Sequence, residues 1–267
     1  MSASASRPRD VRRQPPLRRW PFVLIALVVL ALATIFVLPA SMMARFLPAA
    51  VRADEFSGSL LHGAAGKISV NARDAGAVEW QVHPLSLLRL AMVVDIHWVK
   101  VGFVIDGTVE VARHGAQAHD VHGGGPIADL RDLGLAVGWR GNAKLMIADI
   151  KTDFTGLQSV SGDIEAQHLS SDRIADGADL GSYVLRAADG AVAADGSVAA
   201  TLSDAGGPLE IQAQIRFSPA TRTGMLTGTL LARPEASAAL RDQLGSLSQL
   251  RRADSAGRFP VELEFNF

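Results

Sequence analysis

The feature that most constrains this chain is one uncharged apolar run, which extends from Trp20 to Leu38. As an α-helix, this run would be about 28 Å long, which is close to the roughly 30 Å hydrocarbon core of a bilayer. No other stretch of the chain reaches this length without a charge. The run therefore predicts a single transmembrane helix, with the function of the protein carried by the residues that follow it.

The arginines before the run predict its orientation. The first nineteen residues contain six arginines and one acid, Asp10. Because excess Arg and Lys beside a span stays in the cytoplasm, we expect residues 1–19 to form a short cytoplasmic tail and the residues after the span to lie outside. Trp20 marks the inner boundary, where an amphipathic ring is favoured, and Leu38 marks the outer one.

A cleaved signal peptide is the alternative interpretation of the run. The apolar region of a signal peptide spans about 7–15 residues and ends at a small-x-small site. The run here is longer, and the nearest sites, Leu38-Pro39-Ala40 and Met42-Met43-Ala44, each begin with a bulky residue. A retained anchor is therefore favoured, and a buried helix of a soluble protein is disfavoured because arginines abut the run.

The rest of the chain is acidic and has no cysteine. Residues 1–44 carry six arginines and one aspartate, so the remaining residues have a net charge of −6. Nucleic acids and anionic lipid headgroups attract basic surfaces, so neither suits this domain as an electrostatic partner. The absence of cysteine excludes disulfides, thiolate metal sites and cysteine nucleophiles, and about 220 residues can bury a core without them.

Polar–apolar alternation predicts a mainly β fold after the span. Odd positions are apolar and even positions are polar over residues 209–217, which is typical of a strand with one buried and one wet face. Residues 259–267 repeat this pattern. We therefore predict a linker over 39–54 and one antiparallel β-rich domain over 55–267.

Turn signals and two helical patterns complete the expected domain. Asp-Gly and Gly-Gly pairs favour tight hairpins between the strands. Pro84 suits the first turn of a short helix over 84–88, and a glycine-rich stretch at 123–126 marks a candidate break between two lobes. A second helix is expected between 234 and about 250, where one face is formed by Leu240, Leu244, Leu247 and Leu250.

Three histidines are the candidates for a metal site. His114, His119 and His122 lie within nine residues, together with Asp120, and imidazole and carboxylate are ligands for zinc or copper. On a regular strand, however, residues 119 and 122 point to opposite faces, and the spacing matches no metal motif. A solvated polar loop is the favoured interpretation, so no metal or other cofactor is expected.

The sequence contains no catalytic constellation. It lacks the Gly-x-Ser-x-Gly elbow, the glycine-rich dinucleotide loop and the phosphate-binding loop. Ser59 and His62 are close in sequence but have no third orienting group, and the carboxylates Asp149 and Asp153 lie in a polar stretch. The sequence therefore predicts a protein that is not an enzyme and that holds partners or assembles a machine.

Several phrases follow one another in a characteristic order. A Leu-Pro pair ends the apolar run, residues 78–88 read Val-Glu-Trp-Gln-Val-His-Pro-Leu-Ser-Leu-Leu, and residues 202–209 read Leu-Ser-Asp-Ala-Gly-Gly-Pro-Leu. Leu-Gly-Ser-Tyr at 180–183 and Gly-Thr-Leu-Leu-Ala-Arg-Pro at 228–234 belong to the same series. In this order the phrases resemble protein N of the bacterial type II (general) secretion pathway. The most specific motif residues are Trp80, Pro84, Leu85, Gly206, Gly207, Pro208 and Leu209.

The resemblance implies a single-pass protein of the inner membrane, with a cytoplasmic N-terminus and a periplasmic domain. It implies an accessory role in the machine that exports folded proteins. Partners would be inner-membrane assembly-platform proteins, the outer-membrane secretin, or both. No catalytic residues define this family, so none is carried over to this chain, and no nucleic acid is implied.

The motif residues also have a physical interpretation. Trp80 is expected to pack the end of a strand against the short helix at Pro84, and the Gly-Gly-Pro segment is expected to turn sharply into the next strand.

The alternative function is a membrane-anchored groove that binds lipid or another hydrophobe. Whether the apolar faces of 209–217 and 259–267 are covered discriminates between the two. A hydrolase is the least favoured hypothesis, because the sequence shows no set of catalytic side chains that would converge on one site.

Overall fold

Polar–apolar alternation along the chain produces a meander of antiparallel strands. The computed structural model describes residues 38–45, 47–133, 138–188, 192–193, 195–219, 221–247, 254–255 and 257–266. Within these residues, thirteen strands form one sheet in which every strand pairs with its sequence neighbours. The strands are β1 (Val51–Gly58), β2 (His62–Val70), β3 (Arg73–His83), β4 (Ala91–Lys100), β5 (Phe103–Ala112), β6 (Gly115–Pro126), β7 (Trp139–Thr152), β8 (Leu157–Ser171), β9 (Ile174–Ala187), β10 (Val198–Asp204), β11 (Leu209–Ser218), β12 (Thr223–Ala232) and β13 (Phe259–Asn266).

In the described ranges, four short helices accompany the strands. Three are 3₁₀ helices, η1 (Ala40–Arg45), η2 (Pro84–Arg89) and η3 (Ile127–Leu133), and the fourth is the α-helix α1 (Ala238–Leu247). The mainly β fold class is confirmed, as is a helix close to the C-terminus. The predicted span from Trp20 lies outside the described residues, apart from Leu38. In the part of the chain that the structure describes, no helix is both long and apolar enough to cross a membrane.

Two predicted boundaries fall within strands. β1 begins at Val51 and η1 precedes it, so ordered elements start inside the range predicted as a linker. The glycine-rich stretch at 123–126 lies in β6, where it pairs with β5 on one side and with β7 on the other. The backbone ladder thus runs through this stretch, because glycine removes side chains without removing the hydrogen-bonding groups of the backbone.

The sheet has one polar and one apolar face, because residues paired directly across strands point to the same side. A polar row crosses the sheet through Glu79, His97, Asp106 and His122. Farther along it continues through Asp163, Arg186, Thr201, Gln214, Thr227 and Glu262. An apolar row runs on the other face through Val82, Val94, Val109, Ala118, Ile150 and Val160.

The connections between strands alternate between two rims of the sheet, as a meander requires. The proximal rim is the one reached by Leu38, whose carbonyl accepts a hydrogen bond from the N–H of Leu60. At this rim the chain leaves β1, β3, β5, β7, β9 and β11 and enters β2, β4, β6, β8, β10 and β12. At the distal rim the chain leaves β2, β4, β6, β8, β10 and β12 and enters β3, β5, β7, β9, β11 and β13.

Two buried clusters lie on the apolar face. One joins η1 to β1–β4 and consists of Ala40, Leu61, Ala65, Trp80 and Val82. The other joins α1 to β9 and β11 and consists of Leu180, Tyr183, Leu209, Ala236, Leu240 and Leu244. Ser237 directly precedes α1, and its Oγ accepts a hydrogen bond from the N–H of Leu240, as an N-cap residue does. Helices thus cover the two corners of the sheet where the family-like phrases lie.

Candidate functional site

Trp80 is the centre of the first corner. Its side chain is 8% exposed and packs with Ala40 and Phe56, and the Phe56 and Trp80 rings meet edge to face with centroids 6.5 Å apart. The indole Nε1 donates to the carbonyl of Leu60 at 3.0 Å. Gly63 pairs directly with Trp80, and a Cβ on Gly63 would lie only 2.7 Å from the indole ring. A glycine opposite the tryptophan therefore provides the space for its ring.

The structure corrects one expectation for this corner. Trp80 does not pack against the short helix that follows it: its cluster contains residues of η1 and β1–β4, and no residue of η2 is buried. Trp80 points to the apolar face, whereas η2 leaves the sheet at the rim. Pro84 stands directly after the last residue of β3, where a residue without an N–H ends the ladder.

η2 presents leucines to the outside. Leu85 and Leu88 are 77% and 83% exposed, and Leu87 and Leu90 are exposed as well. Sequence reasoning named Leu85 only as a structural motif residue and missed this exposure. The signal was present, because four leucines in six residues are too many for a helix of this length to bury on one face.

The second corner is the turn between β10 and β11. Gly206 and Gly207 have φ values of 111° and 126°, a region that favours glycine. The carbonyl of Gly206 accepts a hydrogen bond from the N–H of Ser182 at 2.9 Å. A Cβ on Gly207 would lie 2.4 Å from the Cα of Gly181. The two backbones therefore touch where the Leu-Gly-Ser-Tyr and Gly-Gly-Pro phrases meet.

Arg233 connects a third phrase to this turn. Its guanidinium donates through Nη1 to the carbonyl of Gly207 at 2.9 Å and through Nη2 to Oδ2 of Asp204 at 2.7 Å. Its backbone N–H donates to the carbonyl of Pro208 at 2.9 Å. Sequence reasoning did not single out Arg233, although it lies in the phrase at 228–234. A planar guanidinium suits this position because it bonds a carbonyl and a carboxylate at once.

The core of the second corner lies beneath the turn. Leu209 is buried against α1 through the cluster that also contains Tyr183. The Tyr183 hydroxyl donates to the carbonyl of Leu180 at 2.5 Å. Burial raises the pKa of this phenol far above its ordinary value, because a phenolate would lose its hydration there. Tyr183 is therefore a neutral hydrogen-bond donor in the core of this corner.

The histidines lie on the polar face, and a β-bulge changes their expected directions. Asp120 has a φ of 53°, and the pairing between β5 and β6 shifts there by one residue. As a result, His119 pairs with Thr108 and His122 pairs with Asp106. Both imidazoles thus share the polar face, contrary to the expectation of opposite faces, because a bulge inserts one extra residue into the alternation.

Two other histidines of this face form close carboxylate pairs. Nε2 of His83 lies 2.6 Å from Oδ2 of Asp95, and Nδ1 of His97 lies 2.6 Å from Oδ1 of Asp106. Hydrogen bonds from His83, and next from Thr108 at 2.8 Å, lower the pKa of the Asp95 carboxyl. Both pairs are partly exposed, so they act mainly as cross-strand contacts that stabilise β3–β5.

The three candidate metal ligands are not brought together. His114 lies in the turn after β5, five residues from His119 and therefore about 16 Å away along an extended strand. In the described part of the chain, no group of three His, Asp or Glu side chains is placed to hold a metal ion. The polar face nevertheless forms a hollow of about 310 Å³ lined by His97, Asp106 and His122 among others.

The apolar face has a small cavity of its own. Its volume is about 110 Å³, and its lining crosses five strands from β7 to β11. The lining side chains include Ile147, Val160, Ile164, Leu185 and Phe217. Most residues of this face between the two buried clusters are half-buried, which is less than the complete burial expected of a closed core.

Comparison with known proteins assigns the family. The family model for protein N of the type II secretion system matches residues 49–262, which is most of the chain. The chain belongs to the type II secretion system protein N family. No curated protein and no solved structure matches it significantly. The match covers all of β1–β12, the second corner and half of β13, and it begins after η1 of the first corner.

Membership of the type II secretion protein N family confirms the resemblance read from the phrases. It makes the chain a component of type II secretion, and so a part of the protein-transport machinery of the cell envelope. It also implies interaction with other components of that machinery. The family is an accessory one and is generally not catalytic. In this chain, its motifs lie at the two corners of the sheet.

Proposed function

We propose that this protein is a non-catalytic scaffold of the type II secretion machinery, anchored in the inner membrane by residues 20–38. Its β domain lies in the periplasm and contacts the inner-membrane assembly platform, the outer-membrane secretin, or both. The observation that carries this proposal is the pair of sheet edges, β1 and β13, which have no second partner strand within the described residues.

Sheet edges are suited to hold partner proteins. Each edge presents a row of backbone N–H and C=O groups on which another chain can add a strand. The two edges also differ in chemistry, since β1 carries Arg52 and Asp54 whereas β13 carries Pro260, Glu262 and Glu264. Proline and charge on β13 limit indiscriminate pairing, so β1 is the edge better suited to strand addition.

Site-specific photocrosslinking in living cells tests the scaffold. A benzoylphenylalanine replaces Asp54 on β1 or Leu263 on β13 in the full-length tagged protein, in cells that contain the whole secretion system. Gln214 is the matched control, because it is exposed on the polar face of β11, away from both edges. We expect adducts with the secretin or an assembly-platform subunit from position 54 or 263 and not from 214. No such adduct from either edge would contradict the proposal.

A second candidate function is a groove that holds a hydrophobe. It is favoured by the half-buried apolar face and by the cavity beside Leu185. A peptide bound there would leave its amides without partners, whereas an acyl chain needs none. The cavity is smaller than the roughly 300–1,000 Å³ of ordinary ligand sites, so a bound chain would lie along the face and only partly within the cavity.

A photoreactive phospholipid distinguishes this second candidate from the first. The reactive group is placed on the acyl chain, the lipid is supplied to membranes that contain the full-length protein, and labelled peptides are identified by mass spectrometry. Labelled peptides from β7–β11 would support the groove. Labelling restricted to residues 20–38 would contradict it and leave the scaffold as the function.

A further inference from the structure

The exposed leucines at η2 form a single patch on the proximal rim. We define this patch, the leucine turn, as Leu85, Leu87, Leu88 and Leu90, all of which are exposed. Soluble proteins rarely expose adjacent large apolar side chains in this way, and such patches mark contact with a protein or a membrane. The domain core makes no use of them, because none of the residues of η2 is buried.

The hydroxyl of Ser86 and the backbone conformation of Leu90 hold the leucine turn in a defined shape. The Oγ of Ser86 donates to the carbonyl of His83 at 2.6 Å and accepts from the N–H of Val93 at 3.1 Å. Leu90 closes the turn with a φ of 57°. Glycine or asparagine takes this conformation more easily than leucine, so the structure retains a leucine here at the expense of backbone strain.

The leucine turn lies beside the point where the apolar run ends. Leu38, the last residue of the run, is hydrogen-bonded through its carbonyl to the N–H of Leu60 at 2.8 Å. The carbonyl of Leu60 accepts from Trp80, and the N–H of Val82 donates to Leu61 at 2.7 Å. Val82 is two residues before Pro84. The end of the run and the end of β3, from which the leucine turn leaves, are therefore both hydrogen-bonded to the same 59–61 connection.

Three further residues of the proximal rim have a similar character. Phe154, in the turn between β7 and β8, is exposed and has a φ of 69°. Arg89 within η2 and Arg113 in the turn after β5 also lie on this rim. Long basic side chains beside apolar ones are typical of segments at a lipid interface, where the charge reaches the phosphates.

From this placement we infer that the leucine turn inserts into the membrane that holds residues 20–38 and seats the proximal rim of the sheet on the lipid surface. The occupant is the bilayer itself, because the leucine turn lies on the same rim of the sheet as the end of the proposed span and has basic side chains beside it. The domain carries a net charge of −6, so insertion depends on apolar side chains and is insensitive to salt. The inference rests on the anchor proposed above.

Spin-label accessibility in the full-length protein tests the inference. The chain has no cysteine, so single nitroxide labels can be placed by Leu88→Cys, Leu85→Cys or Val101→Cys. Val101 is the matched control, since it is 82% exposed with a φ of 52° but lies on the distal rim. The protein is reconstituted in bilayers of phosphatidylethanolamine and phosphatidylglycerol, and collisions with oxygen and with a water-soluble nickel chelate are compared.

We expect the labels at 88 and 85 to favour oxygen over the chelate, at a depth of about 5–10 Å below the phosphates. The label at 101 should favour the chelate. Labels at 88 and 85 that are as accessible to the chelate as the control would overturn the inference. Protection from both reagents would overturn it as well, because it would mean that protein covers the leucine turn.

A label introduced by Val28→Cys separates this inference from the proposed anchor. Val28 lies near the centre of the apolar run. Oxygen accessibility at 28 with chelate accessibility at 88 would overturn the leucine-turn inference and leave the anchor standing. Chelate accessibility at 28 would overturn the anchor itself.

Discussion

Gly207 and Gly181 meet backbone to backbone: a Cβ on Gly207 would lie 2.4 Å from the Cα of Gly181. Both residues have positive φ values, 126° and 109°. The contact joins the turn after β10 to the middle of β9. The guanidinium of Arg233, which follows β12, donates a hydrogen bond to the carbonyl of Gly207. Three phrases that characterise the family in sequence thus specify one packing contact.

Gly207→Ala should destabilise the protein more than Gly206→Ala. Both glycines have positive φ, so either alanine is strained by about 1–3 kcal/mol. Nothing lies within 4 Å of a Cβ on Gly206, so only Gly207→Ala adds a steric clash. We expect this clash to cost about 1–3 kcal/mol more. Urea unfolding of the full-length protein in detergent micelles measures the difference. Equal stability of the two variants would show that the contact is not rigid.

Trp80→Ala should lower the free energy of unfolding by about 3–5 kcal/mol, as expected for a large buried ring. Trp80→Phe should retain most of the packing and lose the bond to Leu60, which costs about 1–3 kcal/mol when the carbonyl stays buried. Gly63→Ala should also destabilise, because its Cβ would meet the indole ring. Cellular abundance and unfolding midpoint are the measurements. An abundant, stable Trp80→Ala protein that had lost only partner binding would contradict a structural role for this motif.

Leu240→Ala should uncover the second corner. Leu240 lies on α1, is 2% exposed and packs against Leu180, Tyr183 and Leu209 in the buried cluster, so its truncation is expected to cost about 2–5 kcal/mol. Asp242→Ala, on the exposed side of the same helix, is the control and should change stability by less than about 0.5 kcal/mol. Hydrogen exchange should then rise in β9 and at the start of β11. Unchanged exchange there would mean that α1 does not protect this corner.

Stability should fall in acid below the ordinary carboxyl pKa. The hydrogen bonds from Arg186 lower the pKa of Asp163 below its ordinary value of 3.8. A lowered pKa in the folded state stabilises the protein at pH above 3.8, and this contribution is lost as the pH falls through the folded value. Because the pair is partly exposed, the effect is small and is reduced by salt.

Asp163→Asn isolates this acid-sensitive contribution. The variant should be less stable than the parent at neutral pH and should lose less stability on acidification. Thermal unfolding of both proteins between pH 7 and pH 3 makes the comparison, with Asp242→Asn as a surface control. Parallel pH profiles for Asp163→Asn and the parent would exclude a role for the Asp163–Arg186 pair.

The faces of most strands follow from local sequence alone. Leu209 and Ala213 are buried while Gln212 and Gln214 are exposed, as the alternation predicts, because successive side chains of a strand point to opposite sides. The same reasoning failed for His119 and His122. The single extra residue at the bulge places both histidines on one face, and no local sequence pattern marks where such an insertion will occur.

The sequence by itself determined the mainly β fold, the helix near the C-terminus and the family, since these depend on short-range periodicity and on phrases of a few residues. Tertiary structure alone decided that distant phrases meet at two corners and that Arg233 joins one of them. It also decided that Trp80 turns inward while Leu85 and Leu88 remain outside. These outcomes depend on strand order and register, which are set by contacts between residues far apart in the chain.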